Sequence, residues 1–420
     1  MLIEFSVSNF RSFREKQTLS MVAAPRLRKR ENVFKPSVKG EKIPDLLKVA
    51  AIYGPNASGK SNLIEALTVV NRMASREPSA VARLIPVTPF RFDQQLLTQP
   101  SRFEIHFICA ELRYKFELAA TQERIFEERL LAFPKGKETL LYERRHSTAG
   151  EEYIIGQNLE GGKNLHEAWQ KLTSPHVLFV AQAVANSSEN MNQLREPLNW
   201  LQDGLRIILG GMGYLATSSQ KLAKDYPHFG EDIASFLQEV DVPVTNIRVD
   251  QVPVIKDFGS IEKGVLESNL DDENISPRSR TTLTHKTALG EAQFDFREES
   301  EGTKNLIGFW LPWSLMVENN KRFTLVVDEL DSSLHPKIVA SLIKKHIESD
   351  LPKQLIFTTH DTHLMDTKLL RRDQFWLTER DANGATQLRS IHDFEGRESE
   401  DVEKRYYEGR YRGLPFIRRG

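Results

Sequence analysis

Gly54-Pro55-Asn56-Ala57-Ser58-Gly59-Lys60-Ser61 is the stretch on which the fold turns. It matches the spacing G-x-x-x-x-G-K-[ST] throughout, and its flanks are those the spacing requires. Before it, Lys48-Val49-Ala50-Ala51-Ile52-Tyr53 is a short apolar run of the buried-strand kind. After it, Ser61 to Arg72 switches to helical spacing, with Leu63, Ile64, Leu67 and Val70 on one face. The glycines let backbone N–H groups curl around phosphate oxygens, and the helix start adds partial positive charge. Gly54, Asn56, Ser58 and Gly59 are expected to form the cradle. Lys60 would reach the β- and γ-phosphates, and the Ser61 hydroxyl would hold Mg2+. The expected ligand pair is ATP with Mg2+.

More than half the chain later, Leu325-Val326-Val327-Asp328-Glu329 reads as a buried strand that delivers two adjacent carboxylates. Neighbouring acids repel, so a divalent cation beside them makes chemical sense. Asp328 is expected to hold Mg2+ and Glu329 to orient or deprotonate an attacking water. A compact small nucleotide-binding domain would place these two elements much closer, so a large insertion separates two halves of one site.

Composition bounds the rest. The chain has 420 residues, 57 Lys+Arg against 58 Asp+Glu and a formal charge of −1, so global charge does not mark a nucleic-acid binder. The single Cys109 excludes an internal disulfide framework and a cysteine zinc cluster. No apolar run approaches membrane-spanning length and no secretory signal opens the chain. A cytoplasmic protein without membrane contact is expected.

Between and beyond the two motifs, strand and helix signals alternate. Strands are expected at the N-terminus, over Arg102 to Ile108, over Tyr114 to Leu118, and at Phe323 to Val327, Gln354 to Thr359 and Gln374 to Leu377. Thr121 to Glu128 reads as a turn and an edge strand, and Val177 to Gln182 as a strand ending in Gln. Helices are expected over Asn190 to Leu209, Ser218 to Val240 and Pro336 to Ser349, with a strand at Thr245 to Val252. Asp271 to Ser279 is polar loop. Ser300, Gly302 and Thr303 precede an apolar helix that Pro312 should end or kink, and a hydroxyl with bare amides at a helix start makes an anion site or a simple N-cap. The expected organisation is an N-terminal lobe over 1–135, a mixed helical and strand insertion over 136–290, and a C-terminal lobe over 291–420. Arg26 to Lys42 and the aromatic tail Arg405 to Arg419 are basic. Nucleic acid, a protein interface and plain solvated surface all remain open for them.

At this point the chain resembles a known group, the ABC-like AAA-family ATPases related to RecF, SMC and OLD proteins. Five places carry the resemblance: Asn9-Phe10-Arg11-Ser12-Phe13; the phosphate loop with its following Asn62; Glu299-Ser300-Glu301-Gly302-Thr303; Asp328-Glu329-Leu330-Asp331-Ser332-Ser333-Leu334-His335-Pro336; and Thr358-Thr359-His360-Asp361. It covers both ends of the chain well and the middle poorly. It implies an α/β fold, an ABC-type (RecF/SMC-like) P-loop NTPase head with an antiparallel β subdomain and a mostly helical insertion. It implies that Ser300, Gly302 and Thr303 bind the γ-phosphate of ATP held by another subunit, in a homodimer or higher oligomer. It implies that His360 contacts the γ-phosphate, Gln182 senses the metal and Arg11 approaches the nucleotide.

Proteins of this kind and size often serve bacterial antiviral, abortive-infection systems as a sensor paired with a separate Toprim-like nuclease effector. The residues after His360 are too few for an appended Toprim domain, so cutting is expected of the partner. Two alternatives stand beside this: a RecF-like repair ATPase binding duplex DNA, and a slow-turnover scaffold that holds ATP as a clamp.

Overall fold

Alternating apolar residues at the N-terminus form β1 (Leu2–Ser8), followed by β2 (Gln17–Ser20), the short pair β3 (Val33–Phe34) and β4 (Leu46–Leu47), then β5 (Val49–Tyr53) and α1 (Lys60–Ala74). Five strands follow: β6 (Ser101–Cys109), β7 (Leu112–Ala120), β8 (Ile125–Ala132), β9 (Thr139–Ser147) and β10 (Gly150–Ile155). Next come α2 (Gly162–Leu172), α3 (Phe179–Ala185), α4 (Arg195–Asn199) and β11 (Leu205–Ile208). The middle contributes α5 (Gly213–Asp225), α6 (His228–Glu239), β12 (Val244–Val252), β13 (Arg278–Thr287), β14 (Gly290–Asp295) and α7 (Glu301–Glu318). The chain closes with β15 (Thr324–Val327), α8 (Pro336–Glu348), β16 (Gln354–Thr358), β17 (Phe375–Arg380), β18 (Thr386–Ser390) and α9 (Val402–Tyr407). This computed structural model describes residues 1–420 except 80, 82, 210–212, 253–277, 319–321, 332–333, 399 and 412–420. The polar loop from Asp271 lies almost wholly outside the described residues, as do Ser332, Ser333 and the end of the basic tail.

The chain divides into two compact units, one of Met1–Gly210, Met316–Asp331 and His335–Gly420, the other of Gly211–Leu315 and Ser332–Leu334. The first holds two large sheets. One is antiparallel, in the order β10-β9-β8-β7-β6-β1-β2. The other runs β11-β15-β16-β5-β17-β18, parallel from β11 to β17 with β18 antiparallel at its edge. The inner strands β5, β15 and β16 are buried at every position, as strands covered on both faces are. The first unit is therefore α/β, a mostly parallel sheet that carries the phosphate-loop motif together with an antiparallel β subdomain.

α1 shows why one amphipathic stripe was an underestimate. Besides Leu63, Ile64, Leu67 and Val70, it buries Ala66, Val69, Met73 and Ala74. All belong to one core that also takes Phe5, Phe103 and Phe107 of the antiparallel sheet and Ile52, Val326 and Ile356 of the parallel one. A helix with apolar residues around most of its circumference is a buried helix. Its N-terminus is thereby fixed relative to strands of both sheets.

Several local expectations are corrected. Val177 to Gln182 is not a strand: residues from Phe179 onward are α3. The cause is a long-range cap. The buried Glu128 carboxylate accepts the backbone amides of Phe179 at 2.7 Å and Val180 at 3.1 Å, and the Tyr142 hydroxyl at 2.7 Å. Glu128 itself is not on an edge strand, since β8 lies between β7 and β9. Asn190 to Leu209 is not one helix: α4 passes through a π-turn at Trp200–Gly204 into β11, because Leu205 to Ile208 pair in parallel with Thr324 to Val327. Tertiary pairing there overrides local helical spacing. Ser218 to Val240 is two helices parted at Pro227, and α7 continues through Pro312.

The second unit packs α5 and α6 on the antiparallel sheet β12-β13-β14. Gly230 on α6 is required by close approach: a Cβ there would sit 2.5 Å from the Ile247 carbonyl oxygen. Among the described residues, no helix is long and apolar enough to cross a membrane.

Candidate nucleotide site

The phosphate loop leaves the C-terminal end of β5, where all five strand residues are buried. Gly54 and Gly59 adopt φ of 152° and 109°, values that L-residues rarely take. Space is equally restrictive. A Cβ on Gly54 would lie 2.3 Å from Thr378 Oγ1, and one on Gly59 would lie 2.1 Å from Thr386 Oγ1. Among the described residues, no hydrogen bond engages the backbone amides of Asn56, Ala57 or Gly59. Free amides curled at a helix start suit phosphate oxygens.

Lys60 folds back into the loop, its Nζ donating to the carbonyls of Gly54 at 2.8 Å and Pro55 at 3.2 Å. Burial pushes its ammonium below the usual lysine range, while Asp328, Glu329 and Asp331 push back. Those carboxylates come from the far end of β15. Asp328 is buried and Glu329 exposed, with Glu329 at φ 55°. Thr358, the last residue of β16, ties the pair together: its hydroxyl donates to Asp328 Oδ1 at 2.6 Å and accepts the Glu329 amide at 2.7 Å. β16 lies between β15 and β5, so its exit loop, carrying His360, emerges between the two motifs. The His360 amide donates to Asp331 Oδ2 at 3.3 Å. Partial burial and the Lys60 charge push the imidazole below its usual range, opposed by Asp331, Glu329 and Asp328. Three buried polar atoms flank this loop without a described partner: Tyr53 OH, Asp331 Oδ1 and Asp361 Oδ2.

The opening Asn9-to-Phe13 segment is a wall of the same site. The Asn62 carboxamide donates to Ser12 Oγ at 2.8 Å, and Arg11 Nη1 donates to Asn62 Oδ1 at 3.4 Å. Arg11 also lies 3.7 Å from Glu65 of α1, half-exposed beside the loop. Asn9 and Arg11 hold φ of 48°, and the Asn9 carboxamide satisfies the carbonyls of Leu96 and Gln99 and the amide of Phe90.

Two residues that sequence reasoning did not single out, Thr378 and Thr386, hold the cradle. Ser58 Oγ lies 2.5 Å from Thr378 Oγ1, which donates to the Tyr53 carbonyl at 3.1 Å; Ser58 is therefore the donor of the first bond. Thr386 Oγ1 sits 2.8 Å from the Ser58 carbonyl oxygen and 2.7 Å from Ser12 Oγ. Thr378 and Thr386 face the loop only because β17 pairs with β5 and β18 with β17, a relation with no local signal.

Arg11, the loop residues, Asp328, Glu329 and His360 thus come together in the first unit. Gln182 is buried on α3, and no described hydrogen bond joins it to Ser61 or Asp328. Ser300, Gly302 and Thr303 belong to the second unit. There the Ser300 hydroxyl accepts the Thr303 amide at 3.1 Å and caps α7, while Glu299 is held by His285 of β13 at 2.7 Å.

The residues fit ATP and Mg2+. The amide cradle and Lys60 suit phosphate. The Ser61 hydroxyl, exposed and free of described bonds, and the Asp328 carboxylate are hard oxygen donors of the kind Mg2+ takes alongside substrate phosphates.

Residues 49–366 match the family model described as "AAA domain, putative AbiEii toxin, Type IV TA system". No curated protein is similar enough to count as a relative. Among solved structures, the SMC head domain from Thermotoga maritima is 15% identical at a TM-score of 0.40, covering 93% of this chain and 98% of that one. An SMC head bound to the C-terminal winged-helix domain of ScpA is 13% identical at 0.42, covering 97% and 99%. An SMC head with an extended coiled coil, bound to the C-terminal domain of ScpA derived from Pyrococcus furiosus, is 11% identical at 0.41, covering 93% and 97%.

Proposed function

This chain belongs to the AAA-domain family named for AbiEii-type toxins, and we propose that it binds and hydrolyses ATP as an ABC-like ATPase. One observation carries the reading: β15, β16 and β5 are neighbouring parallel strands, so the Asp328-Glu329 pair, the His360 loop and the phosphate loop, drawn from distant segments, all leave the same end of one sheet.

On binding, Lys60 exchanges the Gly54 and Pro55 carbonyls for the β- and γ-phosphate oxygens. Ser61 and Asp328 would hold Mg2+, with Gln182 proposed as the residue that would sense it from α3. When bound, Mg2+ neutralises charge on the phosphate oxygens. Glu329 accepts a proton from water as the water oxygen bonds to the γ-phosphorus. The bond to the β,γ-bridging oxygen breaks, and ADP and phosphate leave. His360 reads the γ-phosphate. Ser300, Gly302 and Thr303 of a second copy close the pocket, so ATP joins two chains and hydrolysis parts them. The family's link to abortive infection supports a further role, as the sensor subunit of an anti-phage system acting with a separate nuclease-like effector.

Phosphate release tests the catalytic part. Glu329→Gln should retain ATP and slow release by about 10²- to 10⁴-fold, the usual worth of a general base. An unchanged rate would favour the slow scaffold reading instead.

A further inference from the structure

The basic loop has no part in the ATP site. Arg26, Arg30, Lys35 and Lys42 line a cavity of about 430 Å3, together with Arg371 and Asp45. All these residues belong to the first unit. Asp45 lies shortly before β5 and Arg371 shortly before β17, so the cavity opens at the N-terminal end of these parallel strands. The phosphate loop leaves the C-terminal end of β5. The length of that five-residue strand, roughly 17 Å, separates the two sites.

Its walls are built. The Ala23 amide is fixed by the Asp45 carbonyl at 2.8 Å, the Ala24 amide by Asp373 Oδ2 at 2.7 Å and the Arg28 amide by Glu398 Oε1 at 2.6 Å. Between these pins Arg26 is held at φ 69°, a conformation that costs free energy for a non-glycine residue. Arg371 is 2% exposed; Asp373 takes its Nε at 3.0 Å and its Nη2 at 2.6 Å, and the Ala24 carbonyl also accepts Nη2 at 2.9 Å. Its Nη1 has no described partner. A buried guanidinium is thus locked by one face with a donor left over at the cavity.

Charge and shape name the ligand class. Asp45 is matched by Arg30 at 3.5 Å, and Asp373 by Arg371. Arg26, Lys35 and Lys42 are exposed, and among the described residues none has a hydrogen bond or ion pair. The chain as a whole carries −1, so this excess is local. Pro25, Ile43 and Pro44 add an apolar wall. Cations converging beside an apolar surface, in a cavity of ligand size, match a phosphate attached to a flat, weakly polar body.

We propose that this cavity is a second anion site, which binds a nucleoside phosphate either free or as one unit of a single strand. Arg371 Nη1 and the three unpaired cations take the phosphate, and the Pro25, Ile43 and Pro44 wall takes the base. The proposal does not depend on the ATPase reading, because Lys60 plays no part in it.

The test uses the full chain, unsubstituted and as Lys60→Ala, with 5′-AMP followed by calorimetry and fluorescein-labelled oligothymidylate followed by anisotropy at low salt. At least one probe should bind both proteins. Saturable AMP binding that displaces the strand identifies a free nucleotide as the source; strand binding alone identifies nucleic acid; both support the site. The exposed pair Lys35→Gln with Lys42→Gln should weaken binding about tenfold or more, as loss of charge-assisted bonds does. For the strand, the salt slope should also fall by about 1 per cation removed. Arg26→Gln should act in the same direction. No binding by either probe, or binding indifferent to these substitutions, overturns the proposal.

Discussion

Thr358 shows how much of the site rests on a single hydroxyl. It donates to the Asp328 carboxylate and accepts the Glu329 amide, so it fixes one carboxylate and the backbone that carries the other. Valine has the same shape without the oxygen. Thr358→Val leaves a buried carboxylate oxygen and an amide without partners, at about 1–3 kcal/mol. The urea midpoint should therefore fall and the Mg2+ requirement for ATP turnover should rise. If neither moves, the hydroxyl does not organise the pair. The unpartnered Tyr53 OH, Asp331 Oδ1 and Asp361 Oδ2 flank the adjoining loop after β16. Buried polar atoms without partners ask for an explanation, and a loop that rearranges around a γ-phosphate supplies one.

Among the elements, the tie between α8 and β5 has a pH signature. His346 is buried on α8, its Nε2 donating to the Lys48 carbonyl at 3.1 Å, while Lys48 Nζ caps the end of α8 through the Ile347 and Ser349 carbonyls at 2.6 and 2.8 Å. Burial pushes the imidazole from 6.5 down to about 4; the hydrogen bond to the Lys48 carbonyl opposes the fall, and the Lys48 and Lys353 charges add to it. Between those values the unfolded chain takes up a proton that the folded one refuses. Its contribution is therefore complete above pH 6.5 and is lost as pH drops toward 4. A shift of this size is worth about 3 kcal/mol at the bottom of the window. His346→Gln keeps a donor and cannot titrate, so its melting temperature should fall less between pH 7 and pH 5 than that of the unsubstituted chain. Equal falls would contradict the assignment.

Legibility followed the same division at this scale. The strands and helices bearing the motifs could be read because each is a continuous apolar run or a clean helical stripe bounded by glycine or proline. His335 capping α8 through the Lys337 amide at 3.2 Å is one such local device. What could not be read depends on distant partners: α3 starts where Glu128 of another element caps it, and β11 exists because β15 is beside it. Thr378 and Thr386 were invisible for the same reason, since only the pairing of β17 with β5 and of β18 with β17 brings them to the loop.

For the whole molecule, the proposal requires two copies. A Glu329→Gln chain that holds ATP without splitting it should run as a dimer with ATP and Mg2+, and as a smaller species without them, by light scattering after size exclusion. Adding Gly302→Asp places a carboxylate where a γ-phosphate is expected and should abolish the ATP-dependent dimer while leaving the fold intact. A dimer that persists would remove the 300–303 segment from the shared site.

The most direct measurement is equilibrium ATP binding at millimolar Mg2+. The unsubstituted chain should take up ATP, and Lys60→Ala should bind it about ten- to a hundredfold more weakly, the worth of charge-assisted contacts to phosphate. Undiminished uptake by the substituted chain, or none by the unsubstituted one, would contradict the account at its root.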